Sequence, residues 1–183
     1  MTTLKKAFIL IDYVYDFVAD DGNLTCGKPA QLIENYLVTQ IKAFQDKEDF
    51  IVMATDYHCK DDLYNKEGTM FPAHCFDKAG QSLYGKVEDA IRSVPPSLTL
   101  QIHKNRYSAF YGTPLDLKLK ERQVSEIHLA GVCTDICVLH TAIDAYNLGY
   151  NLVIHSKGVA SFHEAGHTYA LEHFQNVLGA KVI

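Results

Sequence analysis

The sequence predicts an α/β fold: a single three-layer α/β/α domain with a central six-stranded, mainly parallel sheet. Three observations predict it. Short apolar, β-rich runs alternate with stretches whose apolar residues recur at helical spacing, mostly over short links. The runs are continuous in apolar character rather than alternating, as strands buried on both faces require. No internal repeat, low-complexity tract or Pro/Ser-rich linker divides the 183 residues, a length suited to one substantial core.

Ala7 to Ile11 is the first apolar run and stops at Asp12; Tyr13 to Phe17 then leaves the strand with aromatics, and Asp20 to Asn23 is a turn cluster. Pro29 opens a helix, with Leu32, Ile33, Tyr36, Leu37, Ile41 and Phe44 along one side. Phe50 to Thr55 is the second strand, ending at Asp56-Tyr57-His58. From Cys59 to Pro96 the periodicity is weak, and only Leu83 to Ile91 hints at another element. A long irregular stretch within a compact domain is often a functional loop. Leu98 to Ile102 forms strand three, followed by His103-Lys104; Leu115, Leu117, Leu119 and Val124 accompany a charged helix. Ile127 to Ala130 is strand four and runs through Gly131 into a helical pattern carrying Val138, Ala142, Ala145 and Tyr146. Gly149 ends that helix, Asn151 to Ile154 is strand five, Phe162 to Leu178 is a last helix stopped by Gly179, and Lys181 to Ile183 is a short sixth strand at the edge.

Composition excludes several classes of function. At 48% hydrophobic and 21% charged the chain has the make-up of an ordinary soluble domain, and its net charge of −5 offers nucleic acid no basic footprint. No apolar run approaches a membrane span, and no charged-then-apolar leader precedes the first strand. Five cysteines, an odd number without a pairing scheme, point to reduced thiols in a cytoplasmic protein.

In open parallel sheets, ligands bind beyond the carboxyl ends of the strands, where strand order reverses. Those ends carry Asp12, Asp56-x-His58, Lys104 and the turn to Cys137. A carboxylate, a carboxylate with an imidazole, an ammonium and a thiol thus converge on one rim. Any one of them has a bland explanation, because polar residues commonly follow strands; four together are harder to dismiss. Cys137 sits at a helix start, where unpaired backbone N–H groups favour negative charge, so its thiol is expected to ionise easily. The competing reading is a buried structural cysteine. If Asp12, Lys104 and Cys137 meet, the ammonium steadies a thiolate and the carboxylate moves its proton, which is nucleophilic acyl transfer without a histidine base. Asp56, His58 and His74, with Glu67 in the loop between, are oxygen and nitrogen donors suited to one divalent ion: Zn²⁺ first, Fe²⁺ or Mn²⁺ otherwise.

Ile11-Asp12 with Asp16-Phe17, Asp56-x-His58, Phe71-Pro72-x-His74, Lys104-x-x-Tyr107-Ser108-Ala109-Phe110 and Gly131-Val132-Cys133-Thr134-Asp135-Ile136-Cys137 together make the chain resemble the cysteine hydrolases of the isochorismatase-like superfamily, and within it the bacterial nicotinamidases or pyrazinamidases. The resemblance spans nearly the whole length and implies a single isochorismatase-like, Rossmann-like domain over residues 1–183. It implies that Asp12, Lys104 and Cys137 form the catalytic triad and that Asp56, His58 and His74 hold the metal, with Glu67 bound directly or through water. It also implies a cis peptide between Val132 and Cys133, with the Cys133 and Cys137 N–H groups as an oxyanion hole. Phe17, Phe71 and Tyr107 match positions that hold a flat pyridine ring. The reaction implied is hydrolysis of nicotinamide to nicotinate and ammonia, with pyrazinamide as a further substrate. The small-molecule substrate comes with a homo-oligomer, dimer or tetramer, and with neither nucleic acid nor membrane as partner. Val14 departs from the pattern, since many relatives carry a polar residue there.

Rival readings remain. A sibling cysteine hydrolase acting on an N-carbamoyl or ureido amide would share the triad but generally lacks the metal ligands. His163-Glu164-Ala165-Gly166-His167 fits the H-E-x-x-H signature of zinc proteases, against which stand the absence of an evident third ligand and a helix whose Leu171, Phe174 and Leu178 read as a packing face. Cys59 after His58 and Cys75 after His74 admit a structural zinc module, although neighbouring side chains in extended backbone point opposite ways. Cys133 and Cys137 are three residues apart rather than two, so no C-x-x-C redox couple is indicated. The first strand runs into Asp12 and aromatics instead of a glycine-rich loop, which removes nucleotide binding.

Overall fold

A computed structural model describes residues 5–62 and 64–183 of the chain. In order they form β1 (Lys5–Ile11), α1 (Tyr15–Val18), α2 (Lys28–Leu32), α3 (Glu34–Gln45), β2 (Phe50–Asp56), α4 (Lys66–Met70), α5 (Gly85–Arg92), β3 (Thr99–Lys104), α6 (Leu115–Glu121), β4 (Val124–Val132), α7 (Leu139–Asn147), β5 (Asn151–Ala160), α8 (Glu164–Asn176) and β6 (Lys181–Val182). The six strands lie in the order β3-β2-β1-β4-β5-β6, every neighbouring pair parallel. The chain builds outward from β1 through β2 to β3, then crosses back to β4 on the other side. The order therefore reverses between β1 and β4, and that is where a parallel sheet opens a crevice.

Strand geometry divides the core into two halves. Successive side chains alternate across a sheet, so Ala7, Ile9 and Ile11 of β1 face one apolar layer with Leu115 and Leu119 of α6, Ala142 of α7 and Phe174 of α8. Phe8 and Leu10 face the other, with Leu37, Ile41 and Phe44 of α3 and Val87 of α5. Phe8, Ile9, Leu10 and Ile11 are all fully enclosed. Each such side chain contributes about 1.5–3 kcal/mol relative to exposure, which makes β1 a stiff platform for Asp12.

Several boundaries differ from the sequence reading, each for a physical reason. The helix opened by Pro29 is broken at Ile33, where α2 stops and α3 begins. Val124 begins β4 instead of ending the preceding helix, because Gln123 turns the chain with φ of 57°. The aromatic segment after Asp12 holds the four-residue helix α1. The irregular stretch contains α4 and α5, and Asn65 caps α4 by accepting from the Glu67 N–H. Strand five continues to Ala160, well past Ile154. Val14, the position that departs from the superfamily pattern, is fully buried and bridges Leu83, so it serves the apolar layer. Among the described residues no helix is long and apolar enough to cross a membrane.

Candidate active site

Asp12 follows the last residue of β1 with φ of 52°, a left-handed turn that few non-glycine residues adopt and that aspartate tolerates better than most. Its backbone N–H donates to the Ala54 carbonyl at 3.0 Å, and its Oδ1 accepts from the Asp56 N–H at 2.7 Å. The carboxylate is thereby locked to the end of β2. Lys104, the last residue of β3 and in register with Asp56 at the end of β2, places Nζ 2.7 Å from Asp12 Oδ2, 3.4 Å from Asp56 Oδ1 and 3.8 Å from Cys137 Sγ. All four groups are buried.

Cys137 comes from the turn after β4. Gly131 has φ of 118°, and a Cβ there would stand 1.9 Å from the Ile11 carbonyl oxygen, so only glycine lets β4 pass this close to β1. The Val132–Cys133 peptide is cis. Thr134–Val138 then forms a π-helical turn ahead of α7, with the Cys133 carbonyl accepting from the Ile136 and Val138 N–H groups at 3.1 and 3.2 Å. Helix α8 braces this turn: Thr134 Oγ1 and His167 Nδ1 are 2.8 Å apart, and a Cβ on Gly166 would collide with the Asp135 carboxylate.

The electrostatics correct one sequence expectation. Burial pushes the Cys137 thiol well above its usual range, against the pull of Lys104, and the Asp12 and Asp56 charges add to the push. The sulfur is enclosed beside two carboxylates in a π-helical turn rather than exposed at an α-helical first turn, so it gains little from a helix start. Burial likewise raises Asp12, with Lys104 opposing, to about 6. The resting pair at neutral pH is a neutral thiol facing an ionised carboxylate that can take its proton. Lys104 is held protonated despite burial by the Asp12 and Asp56 carboxylates.

Beside this trio, Asp56, His58 and His74 present donor atoms that all lie within 4.8 Å of one another, the one group of three or more such residues among those described. His58 Nε2 is 2.8 Å and His74 Nε2 3.3 Å from Asp56 Oδ2. His74 Nδ1 donates to the Pro72 carbonyl at 2.7 Å, and the Asn65 amide lies 2.5 Å from His58 Nδ1. With Nδ1 committed, neutral His74 aims an Nε2 lone pair at a carboxylate oxygen; two acceptors facing each other at that distance require a proton or a cation between them. Burial opposes a charge on His74, yet the bonds to Asp56 and Pro72 raise its pKa. Burial also opposes charge on Asp56, but Lys104 and the two imidazoles hold that carboxyl well below the ordinary range. The donor chemistry fits a divalent ion. Glu67 is buried in the same pocket, raised by burial and by Asp56, but stands outside the donor trio.

One pocket touches both groups. Cys137 and Cys133 line it on one side and Asp56, His74 and Glu67 on another, and Phe17, Phe71 and Tyr107 supply aromatic walls. Leu24, Ile136 and Phe162, which were not anticipated, add to the apolar lining with Val132. Asn65 was also missed, with only an Asn-x-Glu cap pattern to hint at it, and His167, read as half of an H-E-x-x-H motif, instead braces Thr134. The loop is pinned from behind by Asp16, whose Oδ2 accepts from the Cys75 N–H at 2.7 Å. The rival metal sites do not assemble. His163 Nδ1 accepts from the Gly166 N–H as a helix cap and His167 meets Thr134, while Cys59 is exposed and Cys75 belongs to no donor group.

The isochorismatase domain family matches residues 6–183. The chain belongs to the isochorismatase family. The nicotinamidase/pyrazinamidase PncA from Bacillus subtilis shares 49% identity at a TM-score of 0.95, covering 98% of this chain and 99% of that one. The pyrazinamidase/nicotinamidase from Streptococcus mutans shares 46% at 0.94, covering 98% and 100%. The pyrazinamidase of Pyrococcus horikoshii, solved in complex with zinc, shares 26% at 0.83, covering 98% of each.

Proposed function

We propose that this amidohydrolase of the isochorismatase family hydrolyses nicotinamide to nicotinate and ammonia, with pyrazinamide as a second substrate. The observation that carries the reading is one aromatic-walled pocket lined by both the Cys137 thiol and the Asp56 and His74 donors. Solved relatives named as nicotinamidases and pyrazinamidases support it.

Catalysis starts with proton transfer from the Cys137 thiol to Asp12, with Lys104 steadying the thiolate from 3.8 Å. The sulfur attacks the carboxamide carbon, and the Cys133 and Cys137 backbone N–H groups serve as the oxyanion hole. Asp12 returns the proton to the departing nitrogen, ammonia leaves, and a thioester remains on Cys137. Asp12 then takes a proton from water, which attacks the thioester; nicotinate departs and the sulfur recovers its proton. Phe17, Phe71 and Tyr107 hold the ring plane and exclude bulk water. Asp56, His58 and His74, with Glu67 directly or through water, would hold a divalent ion, which would supply Lewis acidity toward the pyridine nitrogen; zinc is the first choice, and the zinc-bound relative supports it.

The same reading makes residues 1–183 one hydrolase domain that works in the cytoplasm as a dimer or tetramer, on a small molecule and without nucleic acid or membrane. Light scattering of the purified protein tests the assembly. Ammonia release from nicotinamide tests the chemistry. Turnover is expected in the native chain, with loss in Cys137→Ala at unchanged fold. Full activity in that variant, or turnover of a ureido amide with none of nicotinamide, overturns the proposal.

A further inference from the structure

Two thiols that take no part in the mechanism above as sulfur atoms face each other, one lining the pocket and one buried next to it. Cys26 Sγ and Cys133 Sγ are 2.7 Å apart, across 107 positions of sequence. Both are free thiols. That separation is closer than two unbonded sulfurs rest and only slightly longer than the disulfide length of about 2.05 Å. Forming the bond shortens that gap by about 0.65 Å and draws the two segments together. The sequence offered no pairing scheme, because nothing local relates the loop after α1 to the turn after β4.

Both sulfurs ride on anchored backbone. The Cys26 N–H donates to the Phe17 carbonyl at 2.8 Å, and the Cys133 carbonyl accepts from Ile136 and Val138. Cys26 is buried behind the loop, whereas Cys133 is half-buried and lines the pocket. One sulfur is therefore reachable by a small oxidant, and the other waits behind it, which is the arrangement of an attacking and a resolving thiol. Of the other three cysteines, Cys59 is exposed, Cys75 sits in the apolar layer, and Cys137 faces Lys104.

We propose that Cys26 and Cys133 form a reversible disulfide that switches the enzyme off by tethering the Leu24 loop to the nucleophile turn. The oxidant is a low-molecular-weight disulfide, RSSR. The Cys133 thiolate attacks one sulfur of RSSR, breaking its S–S bond and releasing RS⁻, which takes up the proton that Cys133 lost. The Cys26 thiolate then attacks the Cys133 sulfur of the mixed disulfide and expels the second RS⁻, protonated in turn. The balance is two protein thiols and one RSSR giving one protein disulfide and two RSH. The shared proton with Cys26 and burial hold Cys133 well above the usual thiol range, so exchange runs faster at alkaline than at neutral pH.

The inhibitory effect, though not the bond itself, rests on the amidase reading. Cys133 contributes one of the two oxyanion N–H groups, and Leu24 lines the same pocket. Drawing Cys133 toward the loop displaces that donor, and displacement of about 1 Å costs on the order of 100-fold in rate.

The test uses the full chain, fully reduced and then incubated with oxidised glutathione at pH 8.5, blocked with iodoacetamide and digested without reductant. The expected product is a linked peptide pair losing two hydrogens, with fragmentation assigning the bond to Cys26 and Cys133 rather than Cys137. Nicotinamide turnover falls at least tenfold in step with the link and returns on adding dithiothreitol. Cys26→Ser keeps its turnover through the same treatment. Alkylated Cys26 and Cys133 after oxidation overturn the bond. A linked protein with undiminished turnover, or equal loss in Cys26→Ser, overturns the switch. A reduced native chain that is linked normally but never releases ammonia contradicts the amidase reading and leaves the bond standing.

Discussion

Lys104 Nζ lies 2.7 Å from Asp12 Oδ2, and solvent reaches neither side chain. A buried ion pair is weak support for stability when compared with an apolar replacement of both partners, but removal of one partner strands the other. Here the stranding is double, since Asp56 Oδ1 is 3.4 Å from the same ammonium.

Lys104→Met therefore leaves two enclosed carboxylates facing each other. The variant is expected to lose about 3–5 kcal/mol in urea denaturation and to lose amide turnover by more than about 100-fold. Asp12→Asn in the same background relieves the repulsion and recovers part of the stability without any of the turnover. A Lys104→Met protein as stable as the native chain would show that Lys104 does not hold the carboxylates.

Gly131 decides whether β4 can deliver the nucleophile turn to β1. With φ of 118° and the Ile11 oxygen 1.9 Å from any added Cβ, Gly131→Ala meets backbone strain and a collision with backbone that cannot rotate away. A cost of about 3 kcal/mol or more follows from the two effects together. Thermal melting checks it, and Gly149→Ala, where φ is 84° but nothing lies within 4 Å, is the comparison that isolates the collision from the strain.

Acid sensitivity has a source remote from the site. His155 Nε2 and His128 Nδ1 are 3.0 Å apart, Tyr36 Oη is 2.9 Å from His155 Nδ1, and Glu126 is 3.0 Å from His128 Nε2. One direction of donation satisfies every atom with both rings neutral: Tyr36 to His155, His155 to His128, His128 to Glu126. Burial lowers His155 to about 4, with His128 adding to the effect. The unfolded chain takes up this proton below about 6.5 and the folded chain only near 4, so stability present above pH 6.5 drains away as the pH falls through that window. The loss approaches about 3 kcal/mol for this group alone. Urea midpoints measured from pH 7 to pH 4 should fall steeply in the native chain and less steeply in His155→Gln; parallel slopes would remove His155 as the cause.

Much of this architecture is legible in sequence because it depends on local pattern. Continuous apolar runs mark the strands, and the strand-end rule brings Asp12, Asp56, Lys104 and the Cys137 turn to one rim before any coordinate is known. What escapes is whatever depends on burial or on distant partners. The Cys137 thiol reads as easily ionised from its helix start, and enclosure beside Asp12 and Asp56 reverses that. His167 reads as half of a zinc motif, and its true neighbour is Thr134, thirty-three positions away. Cys26 carries no signal at all until the loop after α1 folds against Cys133.

Metal removal separates the two histidine pairs. His74 Nε2 faces Asp56 with its other nitrogen committed to Pro72, whereas His163 and His167 are occupied by the Gly166 N–H and by Thr134. Dialysis against a chelator is expected to abolish nicotinamide turnover and lower the melting temperature, because three buried donors lose the cation between them. Adding back one equivalent of Zn²⁺, Fe²⁺ or Mn²⁺ in turn identifies the ion that restores both. His74→Ala is expected to bind less than a tenth of the native metal content by elemental analysis, while His163→Ala keeps full stoichiometry because it loses only a helix cap, about 1 kcal/mol of stability. Native metal content in His74→Ala, or its loss in His163→Ala, would move the ion to helix α8 and with it the anchoring of the substrate ring.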